Sequence, residues 1–304
     1  MSAASKCGAL MPSRAKIVVL GARGRLGAAL VRRYSSMHDV IALGRSDVDL
    51  LNVTQIQSRL SGLSFDVLIN AAGITNVDHC EIHSDEARSS NATGPECVAR
   101  ICERKRARMV HVSTDYVFSG EGQSPQHEGD ATHPANVYGQ TKLEGEQLVM
   151  AACPAALVVR VSWLFGLDKD SFPDRIIKTA LSSTTVDAVS DKWSSPTYAE
   201  DLCDWLLPLL QEKTGCTGVL HLCNSGWASW QEYGQESLDI ASRLGLPLQT
   251  RKVESLSMKG FSGFTAKRPP FTVLSTDRFQ SVSGITPRHW QEALSEYVRV
   301  KYTR

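Results

Sequence analysis

The chain has 304 residues, and its 33 Lys and Arg nearly balance 32 Asp and Glu, so no global charge draws it to nucleic acid or to an anionic membrane. Its eight cysteines (Cys7, Cys80, Cys97, Cys102, Cys153, Cys203, Cys216 and Cys223) show no close two-residue spacing, which argues against structural zinc and a disulfide scaffold and for reduced thiols in a cytoplasmic protein. No stretch approaches the roughly 20 apolar residues that cross a bilayer, and the N-terminus lacks a long apolar secretory segment.

Residues 1–14 are Ser/Ala-rich, basic and free of acids. They read as a disordered tail, or as sequence upstream of a start at Met11, with a short targeting leader as the alternative. Residues 15–20 form a short apolar run that feeds into Gly21-Ala22-Arg23-Gly24-Arg25-Leu26-Gly27, and a helical pattern continues through Arg33. Glycines there would let the backbone approach a pyrophosphate and leave the helix N-terminus to receive its charge. Such glycines also make plain tight turns, and it is the position between strand and helix that favours a dinucleotide. The candidates are Gly21, Arg23, Gly24, Arg25, Leu26 and Gly27.

The next strand, 39–43, ends before Gly44-Arg45. A carboxylate about 20 residues past the glycines favours NAD, and an Arg favours the 2′-phosphate of NADP. Asp47 lies near that distance, but Arg45 precedes it and Arg23 and Arg25 add positive charge, so NADPH is expected and NADH stays open. Asp49, with Leu50 beside it, is a candidate for the adenine amine or else a turn or helix cap. Strand 66–70 runs into Asn70-Ala71-Ala72-Gly73, and Ala71, Ala72 and Gly73 are small enough for ribose and nicotinamide to lie against the sheet edge. A structural turn is the other reading.

A helix-length segment, 84–104, precedes strand 109–113, which leads into Thr114-Asp115-Tyr116-Val117-Phe118. Tyr138 and Lys142 follow at i, i+4 on one face of a helix expected over 138–152. A Tyr so placed can pass a proton to a substrate oxygen while the Lys charge holds its acidity nearer neutral, and a hydroxyl at a nearby strand end can share that oxygen. This is the chemistry of carbonyl reduction. Strands at 157–161, 185–189 and 219–222 continue the alternation, which implies an α/β fold: a doubly wound, parallel, Rossmann-type sheet covered by helices. Beyond Cys223 the rhythm weakens, and Lys267-Arg268-Pro269-Pro270 breaks any helix. The expected division is a dinucleotide-binding domain over 15–164, its sheet completed by 184–224, and a smaller substrate-binding lobe from 165–183 and 225–304.

These motifs, with Arg160-Val161-Ser162-Trp163, Ser194-Ser195-Pro196-Thr197, His221-Leu222, Ser225-Gly226 and Trp230, resemble the extended short-chain dehydrogenase/reductase family. Within it the chain is most similar to the dTDP-4-dehydrorhamnose reductases. The resemblance implies a catalytic set of Thr114, Tyr138 and Lys142, with Asn91 supporting the Lys and a proton-relay water. Tyr138 and Lys142 would also touch the cofactor, Asp115 and Trp163 would line the sugar pocket, and Lys267 or Arg268 would meet the diphosphate. It implies an oxidoreductase that uses NADPH to reduce the C4 ketone of a nucleotide-activated deoxysugar. Related dehydratases carry Thr-Asp-Glu where this chain has Thr114-Asp115-Tyr116, so no Glu is placed for elimination. Trp193 stands where the bacterial reductases usually carry other residues. Some members form metal-linked dimers, so a homodimer is carried as an expectation, but no acidic cluster argues for a metal. Two rivals stay open: another sugar-nucleotide epimerase or reductase, and a non-catalytic regulatory subunit resembling the β subunit of methionine adenosyltransferase.

Overall fold

A computed structural model describes residues 14–210, 215–260 and 263–303. Cys7 and, apart from Arg14, the expected tail or leader lie outside the described residues.

Strand β1 (Lys16–Leu20) shows why both faces of the sheet are buried. Ile17 and Val19 point into a cluster with Leu26, Ala29 and Leu30 of helix α1 (Arg25–Tyr34). Val18 and Leu20 point the opposite way, toward Leu43 of β2 (Asp39–Leu43) and Ile56 and Leu60 of α2 (Val53–Ser61). This is the two-residue period of a strand with helices on both sides, and each fully buried aliphatic side chain contributes about 1.5–3 kcal/mol. Four more strands follow: β3 (Val67–Asn70), β4 (Arg108–Thr114), β5 (Leu157–Val161) and β6 (Gly218–His221). All six pair in parallel, in the order β6-β5-β4-β3-β1-β2. From β1 the chain goes to β2 on one side and then to β3 on the other, which opens a crevice at the carboxyl ends of β1 and β3.

Helices α3 (Gly94–Lys105) and α4 (Val137–Ala152) join α2 on one face through Val98, Ile101 and Val149. The helix expected over 84–104 is a continuous helical run with a change of winding. Ser84–Arg88 is α-helical, Ser89–Thr93 is a π turn, and α3 begins at Gly94. Pro95 has no N–H to give, so the run forgoes one backbone hydrogen bond immediately after the π turn. A Cβ at Gly145 of α4 would stand 2.0 Å from the Asn91 carbonyl oxygen, so α4 touches the π turn backbone to backbone.

Helix α5 (Phe172–Ser182) leaves the sheet, whereas α6 (Ala199–Leu209) returns to pack with α1 through Leu202 and Leu206. With α7 (Trp230–Arg243) and α8 (Trp290–Tyr302), α5 encloses a separate core containing Phe165, Ile176, Tyr233, Leu238 and Tyr297. One expected strand goes elsewhere. Asp187–Val189 pairs in parallel with Glu254–Leu256 and forms no part of the main sheet. The edge beside β5 is taken by β6, with His221 opposite Arg160, while Val186 and Ala188 are drawn into the second core. Within 184–224, therefore, it is α6 and β6 that complete the main layer.

Candidate active site

Gly21 has φ +76°, and a Cβ there would stand 2.8 Å from the Ala71 carbonyl. A Cβ at Gly27 would stand 2.1 Å from the Gly21 oxygen. The turn after β1, the start of α1 and the loop after β3 are thus in backbone contact, beneath a cleft of about 260 Å³. Helix α1 begins on Gly24 with neither a side-chain cap nor an acid in its first turn, so its N–H groups are left for an anion. This cradle fits the pyrophosphate of a dinucleotide.

Gly21, Arg23, Gly24, Arg45, Asp49, Leu50, Ala71, Ala72 and Gly73 line the cleft, together with Gly44, Val48, Ile74, Ser90 and Lys169, which the sequence reading missed. Lys169 comes from the loop before α5 and carries no motif that could have flagged it. Five expected residues are outside this lining: Tyr138 and Lys142 of α4, and three from the glycine turn. Leu26 is buried in the core under α1, and Gly27 lies beneath the turn. Arg25 turns toward the second core and donates to the Asp170 carbonyl at 2.7 Å. Asp47 accepts from the Gly44 amide at 2.9 Å, a turn contact that occupies it locally. Asp49 accepts from the Leu51 amide at 3.1 Å and faces Arg45 at 3.4 Å. The Arg45 side chain is 68% exposed at the cleft rim.

At the end of β4 the Thr114 hydroxyl sits beside the Tyr138 phenol, both buried. Asn136 caps α4 by accepting from the Gly139 amide at 2.9 Å, which aims the first turn, with Tyr138, at the strand end. The Tyr138 ring also meets Tyr116 edge-on, with centroids 5.6 Å apart. Burial holds the Tyr138 phenol well above its ordinary range, opposed by the Thr114 hydroxyl. The sequence reading had expected Lys142 to draw it toward neutral. Instead the Lys142 ammonium donates to the Val112 carbonyl at 2.6 Å, and burial lowers its pKa to about 8 against the pull of Glu146. Tyr138 is therefore protonated at neutral pH, the state a proton donor needs.

Asn91 is also repositioned relative to expectation. Its side chain accepts from the Ile74 amide at 2.9 Å and donates to the Ile74 carbonyl at 3.0 Å and to Thr141 Oγ1 at 3.3 Å. The π turn points this amide inward, where it ties the loop after β3 to the helix that carries Tyr138 and Lys142; its contacts go to the backbone and Thr141 rather than to the Lys142 ammonium.

Over residues 15–302 the sequence matches the family described as the RmlD substrate binding domain. The chain belongs to this family. It is 33% identical over 285 residues to the spore coat polysaccharide biosynthesis protein SpsK of Bacillus subtilis, covering 93% of this chain and 97% of that one. It is 37% identical over 289 residues to the dTDP-4-dehydrorhamnose reductase of Mycobacterium tuberculosis, covering 92% and 91%. The crystal structure of dTDP-4-dehydrorhamnose reductase from Bacillus anthracis in complex with NADP matches with a TM-score of 0.87 at 28% identity, over 93% of this chain and 98% of that one. The chain is accordingly an oxidoreductase of the NAD(P)-dependent dTDP-sugar reductase family, with the α/β fold class read from its sequence.

On the side of this RmlD-family site away from the glycine cleft, Asp115 is buried. Its carboxylate accepts from Thr114 Oγ1 at 3.0 Å and from Ser162 Oγ at 2.8 Å. Trp163 has φ +36°, a conformation that costs a bulky residue about 1–3 kcal/mol. It packs at tilted and edge-on angles among Phe172, Trp230 and Tyr233, and it also lines a cavity of about 700 Å³ with Arg25, Arg175 and Lys178. Packing and exposure to a ligand are both met at this one side chain. Arg268 departs from expectation, because its guanidinium forms a two-pronged pair with Asp78 at 2.7 and 3.0 Å over the Phe264 ring and is not free for a diphosphate. The Lys267 carbonyl accepts from Asn136 at 2.8 Å, and the Pro269 carbonyl accepts from the ammonium of Lys192 at 2.7 Å. Lys192 was passed over in sequence because a lone Lys beside a Trp reads as surface; its side chain is only 1% exposed. Among the described residues, no group of three His, Cys, Asp or Glu side chains is placed to hold a metal, and no helix is long and apolar enough to cross a membrane.

Proposed function

We propose that this chain catalyses the NADPH-dependent reduction of the C4 ketone of a nucleotide-activated deoxysugar, with dTDP-4-dehydro-L-rhamnose as substrate and dTDP-L-rhamnose as product. The observation that carries the reading is the buried Tyr138 phenol beside the Thr114 hydroxyl, one helical turn from Lys142, in a small cluster against which Ile74 of the glycine cleft packs. The hydride for C4 comes from the bound dinucleotide. Tyr138 gives its phenolic proton to the C4 oxygen, and Thr114 orients that oxygen. Lys142, held by the Val112 carbonyl one helical turn from Tyr138, would bind the ribose hydroxyls of the dinucleotide. Asp115 and Trp163 border the sugar. The nucleotide end lies in the aromatic cavity, where Trp163 and Trp230 border a base and Arg175 offers a cation to the diphosphate, while Lys178 is paired with Asp170.

The test is NADPH oxidation, followed by absorbance, with dTDP-4-dehydro-6-deoxyglucose and a 3,5-epimerase supplying the keto-rhamnose. One NADPH consumed per dTDP-rhamnose formed supports the reading. Consumption with a different dTDP-4-keto-sugar moves the substrate but keeps the reaction class, an arm to which the similarity to SpsK lends weight. Binding of NADPH without turnover of any such sugar sinks the reading in favour of a regulatory role.

Arg45 is the residue expected to read the 2′-phosphate. Because it is exposed and shared with Asp49, the charge-assisted contact is placed near the low end of its range, about 1.5 kcal/mol, or roughly tenfold in affinity. Arg45→Ala is expected to weaken NADPH by about that factor and leave NADH nearly unchanged, as measured by fluorescence titration of both cofactors. An equal loss for both would show that Arg45 does not discriminate between them.

A further inference from the structure

We propose that Asp78 is a positioning residue for the nucleotide end of the substrate: it clasps Arg268 and the backbone beside it, and so holds Phe264 as a wall of the aromatic cavity. This role rests on the placement of the nucleotide given above and adds to it a residue from the cofactor side of the molecule.

Asp78 lies in the short helix Val77–Ile82, just beyond the loop whose residues 71–74 line the glycine cleft. Every hydrogen bond to its carboxylate comes from one distant segment. Oδ1 accepts from the Thr265 and Ala266 amides, both at 2.9 Å, and from Arg268 Nη1 at 3.0 Å, while Oδ2 accepts from Arg268 Nη2 at 2.7 Å. Arg268 Nη1 also donates to the Ala266 carbonyl at 3.0 Å, which closes the segment on itself. A guanidinium only 8% exposed needs a counter-charge, and Asp78 supplies it in two-pronged geometry.

What this clasp fixes is Phe264. The Arg268 guanidinium lies 4.5 Å from the centre of the Phe264 ring and covers it on one side. Trp230 meets the same ring edge-on at 5.8 Å and in turn packs at 5.2 Å against Trp163. Phe264, Trp230 and Trp163 all line the cavity of about 700 Å³. A continuous series of contacts thus runs from Asp78 through Arg268 and Phe264 to the indoles that border the base. Asn136 and Lys192 hold the same segment further on, at the Lys267 and Pro269 carbonyls, whereas Asp78 acts on the backbone next to Phe264.

The clasp gives Arg268 a different task from the diphosphate contact that the resemblance implies, and the two tasks differ in sign when Asp78 is lost. A diphosphate ligand would be released to bind more tightly. A clasp would be broken, and the wall beside the base would loosen.

The experiment uses Asp78→Asn, Arg268→Met, Arg268→Lys and Phe264→Ala in the full chain, with dTDP and dTMP titrated by calorimetry and NADPH by fluorescence. Asp78→Asn is expected to weaken both nucleotides by about 3–10-fold, the range of a lost aromatic contact, and by the same factor, because the wall serves the base. Arg268→Met should match it, and Arg268→Lys, which keeps a cation between Asp78 and Phe264, should recover part of the loss. In the Phe264→Ala background, Asp78→Asn should be nearly silent. NADPH affinity should change by less than about twofold, because Asn70 and Asn91 hold the loop 71–74 by their own hydrogen bonds. Amide hydrogen exchange over 263–268 should quicken in Asp78→Asn, with or without nucleotide. Unchanged exchange or unchanged dTDP affinity in Asp78→Asn overturns the proposal, as do tighter dTDP binding, a loss confined to dTDP, and an equal cost with and without Phe264. A wild type that binds neither nucleotide would count against the proposed function alone, since the exchange measurement needs no ligand.

Discussion

Replacing Tyr138 by phenylalanine is expected to lower kcat by about 10²–10⁴-fold, the contribution typical of a positioned proton donor. NADPH affinity should change by less than about twofold, because the substitution removes one oxygen and leaves the ring against Tyr116 and in its small cluster with Cys80 and Ala87. The argument turns on protonation. Burial holds the phenol above its ordinary range, so the proton is present throughout the neutral pH window and the loss should be the same from pH 6 to 8. Single-turnover NADPH oxidation beside a cofactor-binding titration checks both parts. Near-normal turnover by Tyr138→Phe would remove Tyr138 from the role of donor and leave the Thr114 hydroxyl as the remaining candidate.

The second large effect is on stability. Arg160 of β5 and Glu146 of α4 are both almost fully buried, and Arg160 Nε and Nη2 grip the carboxylate at 2.9 and 2.7 Å. Ser113 adds a third hydrogen bond to Glu146 at 2.5 Å, and the guanidinium lies 5.1 Å from the Phe118 ring centre. Arg160→Met would keep much of the volume but leave the Glu146 charge without its bonded partner and with only the Lys142 ammonium acting on it, and breaking a buried pair in this way costs about 3–5 kcal/mol. Equilibrium urea unfolding should show that loss. Adding Glu146→Gln should recover part of it, because no charge is then left alone. A single Arg160→Met variant within about 1 kcal/mol of wild type would mean that water reaches Glu146 and that the pair is not sealed. In the wild-type chain the neighbouring His221 has its imidazole lowered to about 3 by burial and by Arg160, so at neutral pH it adds no positive charge beside Glu146.

The parts of this molecule legible in sequence are those where one local pattern has one structural meaning. Apolar runs at 15–20, 66–70 and 157–161 could be strands because both faces meet helices, and the i, i+4 spacing of Tyr138 and Lys142 needed only a helix to bring them to one side. What stayed hidden depends on partners distant in the chain. Arg268 reads as an open cation until Asp78 is found across from it. Arg25 belongs to the glycine turn by position, yet the first turn of α1 rotates it away toward Asp170. Residues 187–189 look like another sheet strand, and only the competition with β6 for the edge beside β5 sends them to pair with 254–256. Lys192 was invisible because nothing local tells a buried Lys from a solvated one; its burial comes from Tyr116 and Pro269.

The π turn at Ser89–Thr93 carries one residue more per turn than an α-helix, which makes it the equivalent of a one-residue insertion absorbed inside a helix. Each residue advances a helix by about 100°, so the segments on either side of the turn are out of phase by about that angle. One run can therefore address two different walls. Upstream, Ala87 packs behind Tyr138 with Cys80, whereas downstream Val98, Ile101 and Cys102 face the sheet core. With regular winding, a single phase would have to serve both, and either the core or the backing of the catalytic tyrosine would face solvent. The rotational offset is thus the means by which one run of helical backbone is coupled at once to the stability of the sheet and to the chemistry at its edge.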